Sequence, residues 1–210
     1  NVIAQQTIGS MSFRPEFGVY YGGLTGSNAK IGVVGGLGLD YQITEKIGAS
    51  ASLFYMNLKF AYDDVEYFVV YSPTGGSSSG IQGTVRYIDS NDHGRLNYVG
   101  VPILMNYYII PNLALKAGIQ PAMLVYADRH VMRDDHSMKY DGNITETMNE
   151  FEMSIPIGLS YEFSNGLFFD ARYNLYITQA NRNPDFRPDQ DRIYRNGLQV
   201  TFGVKFPLKK

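Results

Sequence analysis

The sequence contains no cysteine, which removes both a disulfide-stapled fold and a thiolate metal site. It leaves the compartment open. Tryptophan is also absent, and charged residues make up only 18% of the 210 positions, below the roughly one quarter usual in a soluble domain. The charge that is present nearly cancels, 18 basic against 20 acidic residues, so there is no general cationic field for nucleic acid. No apolar run reaches the ~20 residues of a membrane-spanning helix. That argues against a helical membrane protein and is expected of a barrel, whose strands need only ~9–11 residues with half of them facing the lumen. The leading Asn1-Val-Ile-Ala-Gln-Gln6 has neither a charged n-region nor a full apolar h-region, and the expectation is that a secretion signal has been removed. No glycine-rich loop precedes a helix, so the glycines are not phosphate cradles.

What the chain has instead is glycine (22), tyrosine (17) and phenylalanine (12), ordered by parity. The clearest case is Leu198-Gln-Val-Thr-Phe-Gly-Val-Lys-Phe206. Leu198, Val200, Phe202, Val204 and Phe206 share one face, and Gln199, Thr201, Gly203 and Lys205 the other. A period of two is that of an extended strand with one apolar and one polar side. The pattern recurs about eight times, near 12–21, 30–43, from 47 onward, 96–109, 113–126, 151–163, 167–178 and at the C-terminal end, and no charge interrupts the apolar side. In the third stretch the alternation blurs after Phe54, which predicts a bulge or a change of environment. Connections alternate short (44–46, 110–112, 164–166) and longer (22–29, 63–94, 128–149, 181–192), and Ser164-Asn-Gly166 has hairpin chemistry. These features predict an all-β fold: an eight-stranded antiparallel up-and-down transmembrane β-barrel, one domain over 1–210, with short periplasmic turns, long outer loops and periplasmic termini.

Alternation alone does not say which side is the interior, because a soluble lipocalin-like carrier would place the apolar parity inside. Two features favour lipid outside. The polar parity is rich in small residues, as a narrow interior requires, whereas a water-facing exterior would carry more Lys and Glu. Its charges also oppose one another. Glu16, Asp40, Glu152, Glu162 and Asp170 meet Arg14, Lys116, Arg172 and Lys205, and an enclosed lumen demands such pairing because an unpaired buried charge is costly. Tyr20, Tyr21, Tyr41, Tyr107, Tyr108, Tyr126, Tyr161, Phe163 and Phe206 lie near strand ends, as interfacial aromatic girdles would, although Tyr is also simply a good strand residue.

The candidates for chemistry are few. His93, His130 and His136 all fall in expected outer loops near Asp92, Asp134 and Asp135. No ligand spacing distinguishes them from solvated loop residues, and no His falls on the apolar parity of an expected strand, where a lipid-acting enzyme would need one. Asp185, Asp189 and Asp191 share a loop with three arginines and lack EF-hand spacing. The best lead is 63–94, with two strand-like runs, Val65-Glu-Tyr-Phe-Val-Val-Tyr71 and Ile81-Gln-Gly-Thr-Val-Arg-Tyr-Ile88, around a Gly/Ser-rich tip. It reads as a protruding hairpin whose edge and whose Tyr67, Phe68, Tyr71 and Tyr87 could meet a partner. The equal alternative is a stiff loop that binds nothing.

The segments Tyr98-Val-Gly-Val-Pro-Ile-Leu-Met-Asn-Tyr-Tyr108, Leu115-Lys-Ala-Gly-Ile-Gln-Pro121, Ile157-Gly-Leu-Ser-Tyr-Glu-Phe163 with Asp170-Ala-Arg-Tyr-Asn174, and Gln199-Val-Thr-Phe-Gly-Val-Lys-Phe206 carry a family resemblance. Over about residues 10 to 208 the chain resembles the outer-membrane β-barrel domain family common in Bacteroidetes, which includes PorT-like proteins. The first and last segments are fairly specific and the middle ones are generic strand text. Where that family often carries an acidic residue two before the strand-four proline, this chain has Gly100. The resemblance implies an OmpX-like or OmpA-like eight-stranded barrel in the bacterial outer membrane and says little of function. Gly203-x-x-Phe206 resembles the signal read by the barrel-assembly machinery. The leading expectation is a non-enzymatic, monomeric barrel with a filled lumen, since ~8 strands leave little room for water. It would act by adhesion or binding through its extracellular loops, with no cofactor or metal. Its expected partners are outer-membrane lipid, the assembly machinery and a protein met through 63–94. A lipid A-modifying enzyme, a secretion-accessory barrel and a soluble carrier remain as alternatives.

Overall fold

The computed structural model describes residues 7–62, 65–70, 84–133, 139–180 and 195–208; for 65–70, 84–91, 132–133 and 139–140 it describes the backbone alone. In chain order the strands are β1 (Met11–Leu24), β2 (Asn28–Gln42), β3 (Ile47–Ala61), β4 (Val65–Val70), β5 (Thr84–Gly100), β6 (Ile103–Ile110), β7 (Leu113–Arg133), β8 (Lys139–Asn143), β9 (Phe151–Glu162), β10 (Leu167–Tyr176), β11 (Arg195–Val204) and β12 (Phe206–Leu208). Their pairings close on themselves. β1 pairs β2, β2 pairs β3, and β3 pairs β5 and then β6; both lie against β7. β7 pairs β9, β9 pairs β10, β10 pairs β11, and β11 with β12 returns to β1 from Leu24↔Arg195 down to Met11↔Leu208. With β5/β6 and β11/β12 each counted as one wall, this is an up-and-down antiparallel barrel of eight, and it leaves the ring no open edge.

Exposure decides which face is inside. Phe202 is 61% exposed and Leu175 41%, while Arg172 and Glu152 are each 1% exposed. In water such an arrangement would be inside out; in a bilayer it is the required one. This excludes the soluble carrier with an apolar interior. The expected girdle needs two corrections. Tyr20 and Tyr108 are buried within the ring, because their even positions place them on the lumen parity of β1 and β6.

Several boundaries also differ from expectation. The fourth wall is broken at Val101–Pro102, because proline has no N–H to give to the ladder; Pro102 O still accepts from Ser52 N at 3.1 Å and Val101 N donates to Pro121 O at 2.9 Å. The blur after Phe54 is the change of environment expected there, within a β3 that continues to Ala61. Phe54, Met56, Leu58 and Phe60 are its inward residues, so the lumen itself turns apolar at that level. The charged stretch expected as a loop from 128 begins as strand: β7 continues to Arg133, and β8 pairs its end.

Past the last β3–β5 pair, Ala61↔His93, β5 pairs β4 from Val65↔Asp89 to Val70↔Thr84. β7 follows β5 as far as Asp89↔Arg133 and takes β8 on its other side. The sheet β4–β5–β7–β8 thus continues the barrel wall upward. At the opposite end, tight turns join the walls. Gly166 adopts φ 84 in the β9–β10 turn, a left-handed conformation that glycine accepts without strain, and Gly166 N donates to Phe163 O at 3.0 Å.

Candidate functional site

Each wall sends alternate side chains inward, and near the short turns those side chains carry charge. Arg14 lies 3.6 Å from both Glu16 and Asp40 and 3.9 Å from Asp170. Arg172 reaches Asp170 at 2.7 Å and Glu16 at 3.3 Å, and Lys116 meets Asp170 at 2.5 Å. Lys205 bridges Asp40 at 3.0 Å and Glu162 at 2.7 Å. Arg14, Lys116, Arg172 and Lys205 therefore face Glu16, Asp40, Glu162 and Asp170 in one network. Ser52 and Thr201 add hydrogen bonds to Arg14 and Glu16, each at 3.1 Å. Low dielectric strengthens every pair and penalises any unpaired member, so a balanced set is what a narrow dry lumen can hold.

Glu152 stands apart from that network, as does Asp92, which pairs with Arg129 at the outer end. Glu152 accepts from Tyr98 Oη at 2.5 Å and pairs with Arg195 at 2.9 Å. Arg195 is the lumen residue that sequence reasoning missed. Its guanidinium lies 4.0 Å from the ring centroids of both Tyr98 and Tyr176, with Tyr20 at 6.0 Å, a desolvated cation–π box. The signal was present: counting back by twos from Thr201 through Gln199 and Gly197 lands on Arg195.

Above this box the filling is apolar. Phe54, Met56, Leu58, Phe60, Leu96, Ala122, Leu124 and Ala127 form a buried cluster, which Met148 and Ile144 join from the segment between β8 and β9. That segment is tied over the outer end: Asn149 N donates to Ala180 O at 2.9 Å and Asn149 Nδ2 to Gln179 O at 2.7 Å. Two glycines on the lumen parity make room for rings. A Cβ at Gly197 would strike Tyr20, and one at Gly94 would strike Phe60.

A model of the outer membrane protein beta-barrel domain matches residues 4–182. The chain belongs to that family. It is an outer-membrane protein, so the tight-turn end is periplasmic and the β4–β5–β7–β8 sheet stands on the outer side. Among solved structures it is similar to Ail, the attachment invasion locus protein of Yersinia pestis. That match has a TM-score of 0.50 at 10% identity and covers 95% of this chain and all of the other. It is also similar to Neisserial surface protein A, with a TM-score of 0.48 at 12% identity over 93% of this chain and 97% of that one. At such identities the likeness is one of fold. Nothing among curated protein sequences matches.

On its outer surface this family member is not uniform. In the sector of β2, β3, β5 and β7, outward residues form rungs. The lowest are apolar, with Tyr55 beside Val99 and Val99 beside Met123. Next come Asn57, Asn97 and Tyr126, where Asn97 Oδ1 accepts from Asn57 Nδ2 at 2.6 Å and from Tyr55 Oη at 2.8 Å. Then come Lys59, Arg95 and Asp128, with Arg95 on Asp128 at 3.1 Å. The top rung is Ala61, His93, His130 and Asp141, the two imidazoles 5.1 Å apart and His130 Nδ1 3.7 Å from Asp141. This corrects the loop placement of two histidines. His93 and His130 are strand residues, and His93 shares the outward parity of Val99. His136 and the 181–192 loop lie outside the described residues. Among the described residues no cluster of three His, Asp or Glu gathers as metal ligands do. Tyr67 and Phe68 fall on β4 and Tyr87 on β5, Tyr67 opposite Tyr87 in register; Tyr71 lies outside the described residues.

Proposed function

We propose that this chain is a non-enzymatic, monomeric outer-membrane barrel whose lumen is closed to solutes and whose work is recognition at the cell surface. The observation that carries the reading is the contrast between its two ends. The lumen is occupied by a charge network below and by a capped apolar cluster above, while the wall strands β5 and β7 run on past the barrel into a paired sheet. A protein that only had to seal itself would not extend four strands outward, and among the described strands β4 is the edge of that sheet. Such an edge suits strand addition by a protein partner. The closer kinship with PorT-like barrels, and with it a secretion-accessory role, rests on the 98–108 and 199–206 segments, and Gly203 to Phe206 would present the assembly signal during biogenesis.

The test has two arms. Purified protein in planar bilayers is expected to give no stable conductance; steady large openings would defeat the closed lumen. Replacing 63–90 by a short Gly/Ser link is expected to leave a heat-modifiable barrel on gels while abolishing attachment of expressing cells to immobilised matrix proteins and glycans. Undiminished attachment would remove the extension from recognition.

One observation favours a second reading, a lipid A-modifying enzyme: the His93, His130 and Asp141 rung faces outward at the membrane boundary. Among the described residues no Ser, Thr or Cys lines the cleft there, and a nucleophile would have to come from elsewhere. Substituting both histidines and reading the lipid A mass spectrum separates the two; an unchanged spectrum retains the first reading.

A further inference from the structure

The outward sector of β2, β3, β5, β7 and β8 holds a cleft of about 720 Å³ at the outer rim. Three cations line it, Lys30, Lys59 and Arg95. Arg95 is held by Asp128. Lys30 and Lys59 are exposed and make no ion pair among the described residues. Phe151, Leu175 and Ile177, outward residues on the far side of the outer half, are apolar. Among the described side chains, Lys30, Lys59 and Arg95 thus gather in one sector, above a lipid-facing band that includes Ile31, Val33, Tyr55, Val99 and Met123.

We propose that this cleft binds the phosphorylated headgroup of an outer-leaflet glycolipid of the lipid A type, with its acyl chains lying on the apolar band below. The order of the rungs matches that amphiphile level by level. Aliphatic side chains meet hydrocarbon. The Asn57, Asn97 and Tyr126 layer offers donors and acceptors at the depth of the sugar and its ester groups. Lys30, Lys59 and Arg95 meet phosphate. Two flexible ammonium groups without an ion-pair partner among the described residues suit a phosphate as point charges, while the fixed guanidinium offers directed donors. Asp128 is neutralised by Arg95, and Asp141 sits on the far side of His130 and is 64% exposed, so neither acid faces the lysines unscreened. The site is independent of the recognition role of the β4–β5 extension.

The experiment titrates detergent-solubilised barrel with bisphosphorylated lipid A and with the same lipid stripped of its phosphates, counting bound lipid by native mass spectrometry. For the unaltered barrel, removing the phosphates is expected to weaken binding about tenfold or more. K30Q/K59Q is expected to lose a similar factor toward the phosphorylated lipid, since a basic side chain near an anionic surface contributes roughly fivefold. It should show little further loss toward the stripped lipid. K46Q, on a periplasmic turn, is expected to bind as the parent does. Equal affinity for the two lipids, an undiminished K30Q/K59Q, or a K46Q loss as large as that of the double variant would each overturn the site. Heat-modifiable mobility on gels confirms that every variant is folded before it is scored.

Discussion

The periplasmic half of the lumen and its outer half are filled by opposite chemistries, and they should fail in opposite ways. Below, Arg14, Lys116, Arg172 and Lys205 are locked against four acids. Above, Phe54, Met56, Leu58, Phe60 and Leu96 pack with no charge among them. A compensated ionic set is close to neutral as a whole and costly to break singly, because each partner removed strands another in low dielectric. An aliphatic and aromatic filling loses stability in proportion to what is cut away. The same cylinder is thus brittle at one end and graded at the other, with the Arg195 box between them.

The sharpest break is Asp170→Asn. It leaves Lys116, Arg172 and Arg14 without the acid all three approach, and a loss of about 3–5 kcal/mol is expected in urea unfolding followed by gel mobility. Arg195→Met is next, at about 3 kcal/mol, because Glu152 is left buried without the cation that pairs with it. The double variant Glu152→Gln/Arg195→Met is expected to recover most of that loss. A double variant no better than the single one would mean that the box is held by its rings and not by the ion pair. Leu58→Ala in the upper half should cost about 2–3 kcal/mol with no partner able to rescue it. Least of all, Arg95→Gln on the outer wall should change stability by less than ~0.5 kcal/mol, since its bond to Asp128 is solvent-exposed; a larger loss would mean that the outer rungs support the fold as well.

The same two halves divide what could be read from the sequence. Where the lumen is charged, alternation is plain: Arg14 and Glu16 in β1, and Asp170 and Arg172 in β10, sit among apolar neighbours at a spacing of two. Parity and lipid-facing side follow from that alone. Where the lumen turns apolar, Leu53 to Met56 is greasy on both faces and Asn57 and Lys59 then put polar groups on the outward side, so the polar parity changes sides although the strand continues. Arg195 was hidden for a related reason. The clean alternation begins at Leu198, and Arg195 stands three residues before it, beyond Asn196 and Gly197. The outer rungs escaped because Lys59, Arg95 and His93 come from segments that look like loops when read singly; only cross-strand register sets them side by side. Glycine was legible as a residue of a narrow interior; which glycines make room for a ring, Gly197 for Tyr20 and Gly94 for Phe60, needed the structure.

The unbroken passage of β5 and β7 from the bilayer into the outer sheet has a mechanical meaning. Ladder bonds lie across the strands, so a tug along those two strands from outside loads many of them in shear at once. Anything gripping the far end of that sheet would hold a stiff mast rooted in the membrane, and the pull would reach the barrel wall undamped.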